Sequence, residues 1–119
     1  MTSPIKIRNI YTAELYNGPL DEDFYSEVGD FREMAIGFIQ VIYTGINNPL
    51  GEFKLLVSLE KDPATFAVLP SSEQNMGGVC NSIAWNLVAM GYRFIKIQYT
   101  ANGGSTGSAR IIAIGKKGG

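Results

Sequence analysis

Carboxylates are the first residues in this chain that could do chemistry. Asp21, Glu22 and Asp23 run consecutively, and Glu27, Asp30 and Glu33 follow closely. Clustered oxygens suit a hard divalent cation, and a spaced carboxylate pair suits glycoside hydrolysis. Neither pattern is complete. Adjacent residues of an extended segment point to opposite faces, and the acidic run lacks the alternation and glycine of a calcium loop. Nothing in the sequence fixes the separation that hydrolysis by Glu27, Asp30 and Glu33 would need. The run Asp21-Glu22-Asp23 reads as an acidic turn facing solvent or a partner.

The remaining candidates are few. The chain of 119 residues contains no histidine, which excludes Ser-His-Asp and Cys-His catalysis and imidazole metal ligation. A single cysteine, Cys80, permits neither an intrachain disulfide nor a thiolate zinc cluster. Placed before Ile83 and Trp85, it reads as a small buried side chain. Asn102 to Ser108, NGGSTGS, has the glycines of a phosphate loop but not the Gly-Lys-Ser/Thr opening a helix. It reads as a loop between strands. The sequence points to no enzyme, no cofactor and no metal.

The elements that would position any site are strands. Tyr92 to Tyr99 alternates, with Arg93, Ile95, Ile97 and Tyr99 on one face and Tyr92, Phe94, Lys96 and Gln98 on the other. Ala109 to Ile114 is apolar almost throughout, and the intervening loop tolerates positive φ, so the two runs read as a closing antiparallel hairpin. Met34 to Thr44 forms a long strand with Ile39, Val41 and Tyr43 on one side and Phe38 and Ile42 on the other. Phe53, Leu55, Val57 and Leu59 alternate on the next strand. Thr65 to Leu69 is a short strand, and Asn81 to Leu87 carries Ile83, Trp85 and Leu87 on one face. The expected fold is all-β: a two-sheet antiparallel β-sandwich, jelly-roll-like, of about seven or eight strands. Its predicted core holds Ile39, Val41, Tyr43, Phe53, Leu55, Val57, Phe66, Trp85, Ile95, Ile97, Tyr99 and Ile111.

Residues 1–30 differ from the rest. Ile5 and Ile7 alternate with Lys6 and Arg8, Asn17-Gly18-Pro19 signals a turn, and the acidic run follows. This segment reads as an N-terminal arm or extension to a domain of residues 31–119. It can fold back onto its own sheet or lie across a neighbouring copy.

Charge is unevenly placed. The net charge is −1, yet all eleven acids lie between Glu14 and Glu73. Residues up to Glu73 carry −6, and the remainder carries +5 through Arg93, Lys96, Arg110, Lys116 and Lys117. Such a split lets unlike surfaces of neighbouring copies attract. Five bases over a long segment do not make a compact patch, so nucleic acid is not an expected partner. The sequence shows no signal peptide and no run long enough for a membrane helix, which leads us to expect synthesis in the cytoplasm and no membrane partner. Tyr92 and Phe94, with Phe38 and Ile42 on their strand, are expected to be exposed unless something covers them. Sugar binding would need Tyr92, Phe94 or Tyr43 exposed beside polar groups.

The order GFIQVIYTG, GEFKLLVSLEKD, TFAVLP, a Trp-containing strand and YRFIKIQYTANGGSTGSARIIAIGKK resembles the small β-sandwich virion proteins of tailed bacteriophages. The resemblance covers residues 34–117. It departs at Ser58-Leu59-Glu60-Lys61-Asp62, where a compact polar turn is usual, and residues 1–30 lie outside it. The resemblance implies a structural part of the virion. One role is a capsid decoration (cement) protein on the outer capsid surface, often trimeric, bound to the major capsid protein and to copies of itself. The other is a tail, baseplate or fibre-associated module, with carbohydrate binding as a variant. The length, the extension and the absence of a fibre repeat favour decoration. The expected interface residues are Ile5, Ile7, Asp21, Glu22, Asp23, Phe38, Tyr92 and Phe94.

Overall fold

The computed structural model describes residues 10–32, 34–45, 50–76, 81–87, 93–102 and 107–117. They form ten strands: β1 (Ile10–Pro19), β2 (Phe24–Tyr25), β3 (Gly29–Asp30), β4 (Ile36–Thr44), β5 (Glu52–Ser58), β6 (Ala67–Val68), β7 (Gln74–Asn75), β8 (Asn81–Leu87), β9 (Phe94–Thr100) and β10 (Ser108–Lys116). Sheet A has the order β1-β10-β4-β8, and sheet B has the order β2-β9-β5-β6, with β3 on β9 and β7 on β5. Every pairing is antiparallel. Two four-stranded paths that the chain crosses between repeatedly make this a jelly roll, as the strand pattern leads one to expect.

One expectation is corrected by this topology. β9 and β10 are not a hairpin: β9 lies in sheet B between β2 and β5, and β10 lies in sheet A between β1 and β4. The connection between them carries the chain from one sheet to the other. Its described ends, Asn102 (φ 53°) and Gly107 (φ 92°), do have the positive φ expected of the loop. Alternation reports which face of a strand is buried. It does not report which sheet the strand joins, because both sheets turn their apolar faces to the same core.

That core is built from the alternate residues. On β4, Ile39, Val41 and Tyr43 are buried, and they sit in register with Ala113, Ile111 and Ala109 of β10. Opposite them, sheet B contributes Phe53 and Leu55 from β5 and Ile95, Ile97 and Tyr99 from β9. The rings of Tyr43 and Phe53 bridge the sheets at 6.5 Å, and Phe53 meets Tyr99 at 4.9 Å. Such pairs add to the area they bury. Two expected core residues are only half-buried. Val57 packs at the margin. Phe66 sits at the end of a 3-10 turn, Pro63–Thr65, capped by the Asp62 carboxylate on the Ala64 amide at 3.0 Å. That turn delays the strand to Ala67 and leaves the Phe66 ring under the Lys96 ammonium at 4.6 Å.

Residues 10–30 belong to both sheets. β1 runs the length of β10, and a bulge between Glu14 and Tyr16 inserts Leu15. Leu15 is buried, and the bulge turns Tyr16 inward as well, so that two consecutive apolar residues both face the core. The Asn17-Gly18-Pro19 segment does not turn; it is the end of β1, where Pro19 on an edge strand costs no ladder bond. Beyond it Leu20 is fully buried, and its carbonyl accepts from the Tyr99 hydroxyl at 3.1 Å. Ser26 then ties the chain to sheet B: its amide donates to the Ile97 carbonyl at 2.8 Å, and its hydroxyl accepts from the Ile97 amide at 2.9 Å. These residues of the expected arm therefore fold back within their own chain.

Candidate functional site

Two surfaces stand out, and both follow from how β1, β4 and β10 are laid down. The first is the outer face of sheet A. The same alternation that buries Ile39 and Val41 turns Ile36, Phe38 and Ile42 outward from β4, and Ile114 outward from β10. Phe38 and Ile114 are cross-strand partners, and Ile42 lies opposite Arg110. Ile36 lies opposite Lys116, which in turn faces Ile10 of β1. These five apolar side chains keep between 38% and 50% of their surface in water. No outward position of β4 or of the described side chains of β8 (Ser82, Ala84, Asn86) carries a charge. The charges on this face are Arg110 and Lys116 of β10, beside Ile42 and Ile36, and Arg110 Nε donates to Glu14 Oε2 at 2.9 Å. A soluble surface normally mixes charges of both signs, so an outer face that exposes Ile36, Phe38, Ile42 and Ile114 with no charge on β4 is a mark of contact with something else.

The second surface is the groove where the edges of the two sheets meet, between β1 and β2. Tyr16 and Phe24 stack across it, with ring centroids 3.8 Å apart and planes at 9°. The Glu27 amide donates to the Leu15 carbonyl at 2.9 Å, joining the two margins. Above this floor lies a cleft of about 440 Å³ lined by Glu14, Asn17, Tyr25 and Glu27. Tyr25 projects beside it, 57% exposed. The acidic turn borders the groove. Asp21, Glu22 and Asp23 are all exposed, and Asp23 also serves the fold, because its Oδ1 accepts from the Ala101 amide at 2.8 Å. The Tyr16 hydroxyl, which donates to the Pro19 carbonyl, is held above the ordinary tyrosine pKa by burial and then by the negative charges of Asp21 and Glu22.

A third cleft, of about 380 Å³, lies among Tyr11, Asp30, Arg32 and Met34. Its polar groups are engaged with one another. Arg32 grips both oxygens of Asp30, with Nη2 at 2.7 Å, and the Asp30 amide donates to the Tyr11 hydroxyl at 3.1 Å. The hydrogen bond from Arg32 holds the Asp30 carboxyl below its ordinary range. An ion-paired, depressed carboxylate is a poor proton donor at neutral pH. Among the described residues no three of His, Cys, Asp and Glu converge on a point that could hold a metal ion.

Of the expected interface residues, Phe38 lies on the outer face of sheet A, and Asp21, Glu22 and Asp23 lie beside the groove, so they do not share one surface. Ile5, Ile7 and Tyr92 lie outside the described residues. Phe94 is a correction: it faces outward on sheet B but is only 4% exposed. Arg32 lies over its ring at 5.5 Å and Lys61 at 6.0 Å, so the stems of two long cationic side chains cover it. Tyr43, an expected sugar platform if exposed, is 1% exposed and belongs to the core. Tyr25 was not singled out by the sequence, because next to the acidic run it carries no periodic signal of its own.

No family model matches the chain, and no curated protein matches it in sequence. Solved structures share its fold. The SPBc2 prophage-derived protein YomS superposes with a TM-score of 0.60 at 9% identity, over 89% of this chain and 91% of that one. The K1 cleaved adhesin domain of Lys-gingipain from Porphyromonas gingivalis W83 gives 0.52 at 12% identity, over 81% of this chain and 63% of that one. VP2 of the infectious bursal disease virus subviral particle gives 0.52 at 15% identity, over 92% of this chain but only 33% of that one. At these identities the likeness is one of fold.

Proposed function

We propose that this chain is a structural protein of a bacteriophage particle, and within that class a capsid decoration protein that ties neighbouring shell subunits together. The observation that carries the reading is the set of exposed apolar side chains Ile36, Phe38, Ile42 and Ile114 on the outer face of sheet A, with Phe38 and Ile114 paired across the strands. A partner that covers it removes the remaining exposed surface of each side chain from water, worth roughly 1 kcal/mol apiece. The gain is repeated at every equivalent position of a symmetric shell and offsets the cost of immobilising each copy. The shared fold with a prophage protein and with a viral particle protein supports the same reading, although fold by itself does not set function.

The partners on this reading are the major capsid protein and further copies of the chain, as a trimer, on the outer capsid surface. The acidic turn and Ile5 and Ile7 act as secondary contacts to a neighbour. The work is adhesion between subunits, with no reaction catalysed. The test is binding of the purified protein to phage particles that lack it, followed by imaging of labelled protein. Label distributed over the head supports decoration; label confined to the tail replaces it with the tail-module role. Deleting residues 1–9 tests the contribution of Ile5 and Ile7 while leaving β1 whole. A longer deletion would remove the edge strand of sheet A.

A further inference from the structure

We propose that the groove between β1 and β2 binds a neutral sugar, with Tyr25 as the platform for its ring. This goes beyond adhesion between subunits and stands or falls separately from it, because it concerns a different surface from the outer face of sheet A and is measured on the isolated chain.

The ring of Tyr25 is presented by a stiff support. Phe24 on one side pairs with Tyr99 and stacks on Tyr16, and Ser26 on the other side is bound twice to Ile97. The Lys96 ammonium lies 4.5 Å from the centroid of the Tyr25 ring and is itself held by Phe66. A tyrosine so held has two torsions to lose, so binding through it costs little conformational entropy. Lys96 occupies one face of the ring; Tyr25 nevertheless remains 57% exposed and lines two clefts, the one of about 440 Å³ and a smaller one of about 180 Å³ with Asp23 and Gln98. The larger volume falls within the range of small-molecule sites.

The lining selects the ligand class. A pyranose has a face of C–H groups carrying slight positive charge and a rim of hydroxyls. The C–H face matches the negative face of an aromatic ring. The hydroxyls can donate to the carboxylate of Glu27 and to the Glu14 oxygen that Arg110 does not hold, and can both donate to and accept from the amides of Asn17 and Gln98. A wholly apolar ligand would leave these groups desolvated and unpaired. An anionic sugar would meet the charge of Glu27 at close range, whereas the charge of Glu14 is already paired with Arg110. A neutral sugar satisfies both constraints.

The experiment is titration of the isotopically labelled full chain with maltose, cellobiose and diacetylchitobiose at millimolar concentration, followed by amide NMR. The expected result is saturable shifts confined to residues 14–17, 24–27 and 98 with at least one of the three. Tyr25→Ala should weaken that binding about tenfold, whereas Tyr25→Phe keeps the ring and should retain it. Glu27→Ala, at an exposed position, should also weaken binding and serves if Tyr25→Ala fails to fold. No shifts with any of the three sugars would overturn the proposal, as would unchanged affinity in the Tyr25→Ala variant. Shifts at these residues with a lysine-rich peptide but with no sugar would also overturn it, and would assign the groove to a basic protein segment.

Discussion

The indole Nε1 of Trp85 donates to the carbonyl oxygen of Ser72 across 2.6 Å. Trp85 belongs to β8 at one margin of sheet A, and Ser72 lies in the segment between β6 and β7 at the margin of sheet B. The Ser72 hydroxyl in turn accepts from the Leu55 amide at 3.1 Å. Both Trp85 and Ser72 are buried. Two hydrogen bonds through one serine thus join the sheets where the chain has no strand pairing to do so. Nearby, the Gln74 side chain donates to the Ala84 carbonyl at 2.8 Å, occupying a backbone group on the otherwise open edge of β8.

Trp85→Phe should therefore cost more than its change in volume. It leaves the Ser72 carbonyl buried without its donor, a loss of roughly 1–3 kcal/mol. Ser72→Ala should cost a similar amount by orphaning the Leu55 amide. The double variant should cost less than the sum, because both act on one link between the sheets. Urea denaturation of the three variants checks this; strict additivity would show that the link does not act as a unit.

Much of the fold was legible in the sequence because burial on a strand has a period of two. Ile39, Val41 and Tyr43, and likewise Ile95, Ile97 and Tyr99, are buried as their spacing requires. What spacing does not carry is anything decided by a distant residue. Phe94 alternates as an exposed residue, yet Arg32 and Lys61, distant in sequence, lie over its ring. The pairing partner of β9 depends on a choice of sheet that leaves its own pattern unchanged. The bulge at Leu15 leaves no trace in composition, so Tyr16 and the groove it floors were not visible before the structure. Ser26 and Ser72 are polar residues in turn-like surroundings, and their bonds to Ile97 and Leu55 span 71 and 17 positions of chain.

Gly107→Ala should be among the most damaging single changes. The residue has φ +92°, and an added Cβ would stand 2.2 Å from the Thr44 carbonyl oxygen and 2.8 Å from the Gly45 carbonyl carbon. Both obstacles are backbone, and the Gly107 carbonyl also accepts from the Leu20 amide at 3.0 Å. Relief would require moving the end of β4 away from the β10 start. The expected loss is roughly 3 kcal/mol or more, read as a fall in the thermal midpoint. A midpoint close to the parent's would mean that the two strand ends separate easily.

Tyr16 should confer a pH dependence on the alkaline side. Its folded-state pKa is raised above the ordinary value by burial and by Asp21 and Glu22. The unfolded chain loses that proton at about pH 10. The contribution to stability is therefore complete below that pH and is lost as the pH rises through the folded value, where the unfolded state has already ionised. Tyr16→Phe should flatten this part of the stability curve, and Asp21→Asn should lower the pH at which the Tyr16 phenol titrates. Denaturation midpoints between neutral and strongly alkaline pH, with phenolate absorbance, measure both. An unchanged alkaline slope in Tyr16→Phe would place the loss elsewhere.

The sharpest contrast lies between neighbours on one strand. Val41 is fully buried and Ile42 is 38% exposed, although the two are adjacent in β4. Val41→Ala, like Ile111→Ala on β10, opens a cavity in the core and should cost roughly 2–4 kcal/mol. Ile42→Thr and Ile114→Thr keep the branched Cβ that suits a strand and remove only surface already half in water, so stability should change by no more than about 1 kcal/mol. If the outer face of sheet A exists to be covered, the order reverses in a binding assay. The Thr variants should bind particles or self-associate markedly less while melting as the parent does. A core variant examined below its melting temperature should bind normally, because its outer face is intact. Sedimentation with particles and thermal melts on the same preparations separate the two effects. Parent-like binding by the Ile42→Thr, Ile114→Thr double variant would remove these apolar side chains as the contact surface, since nothing else about the fold would have changed.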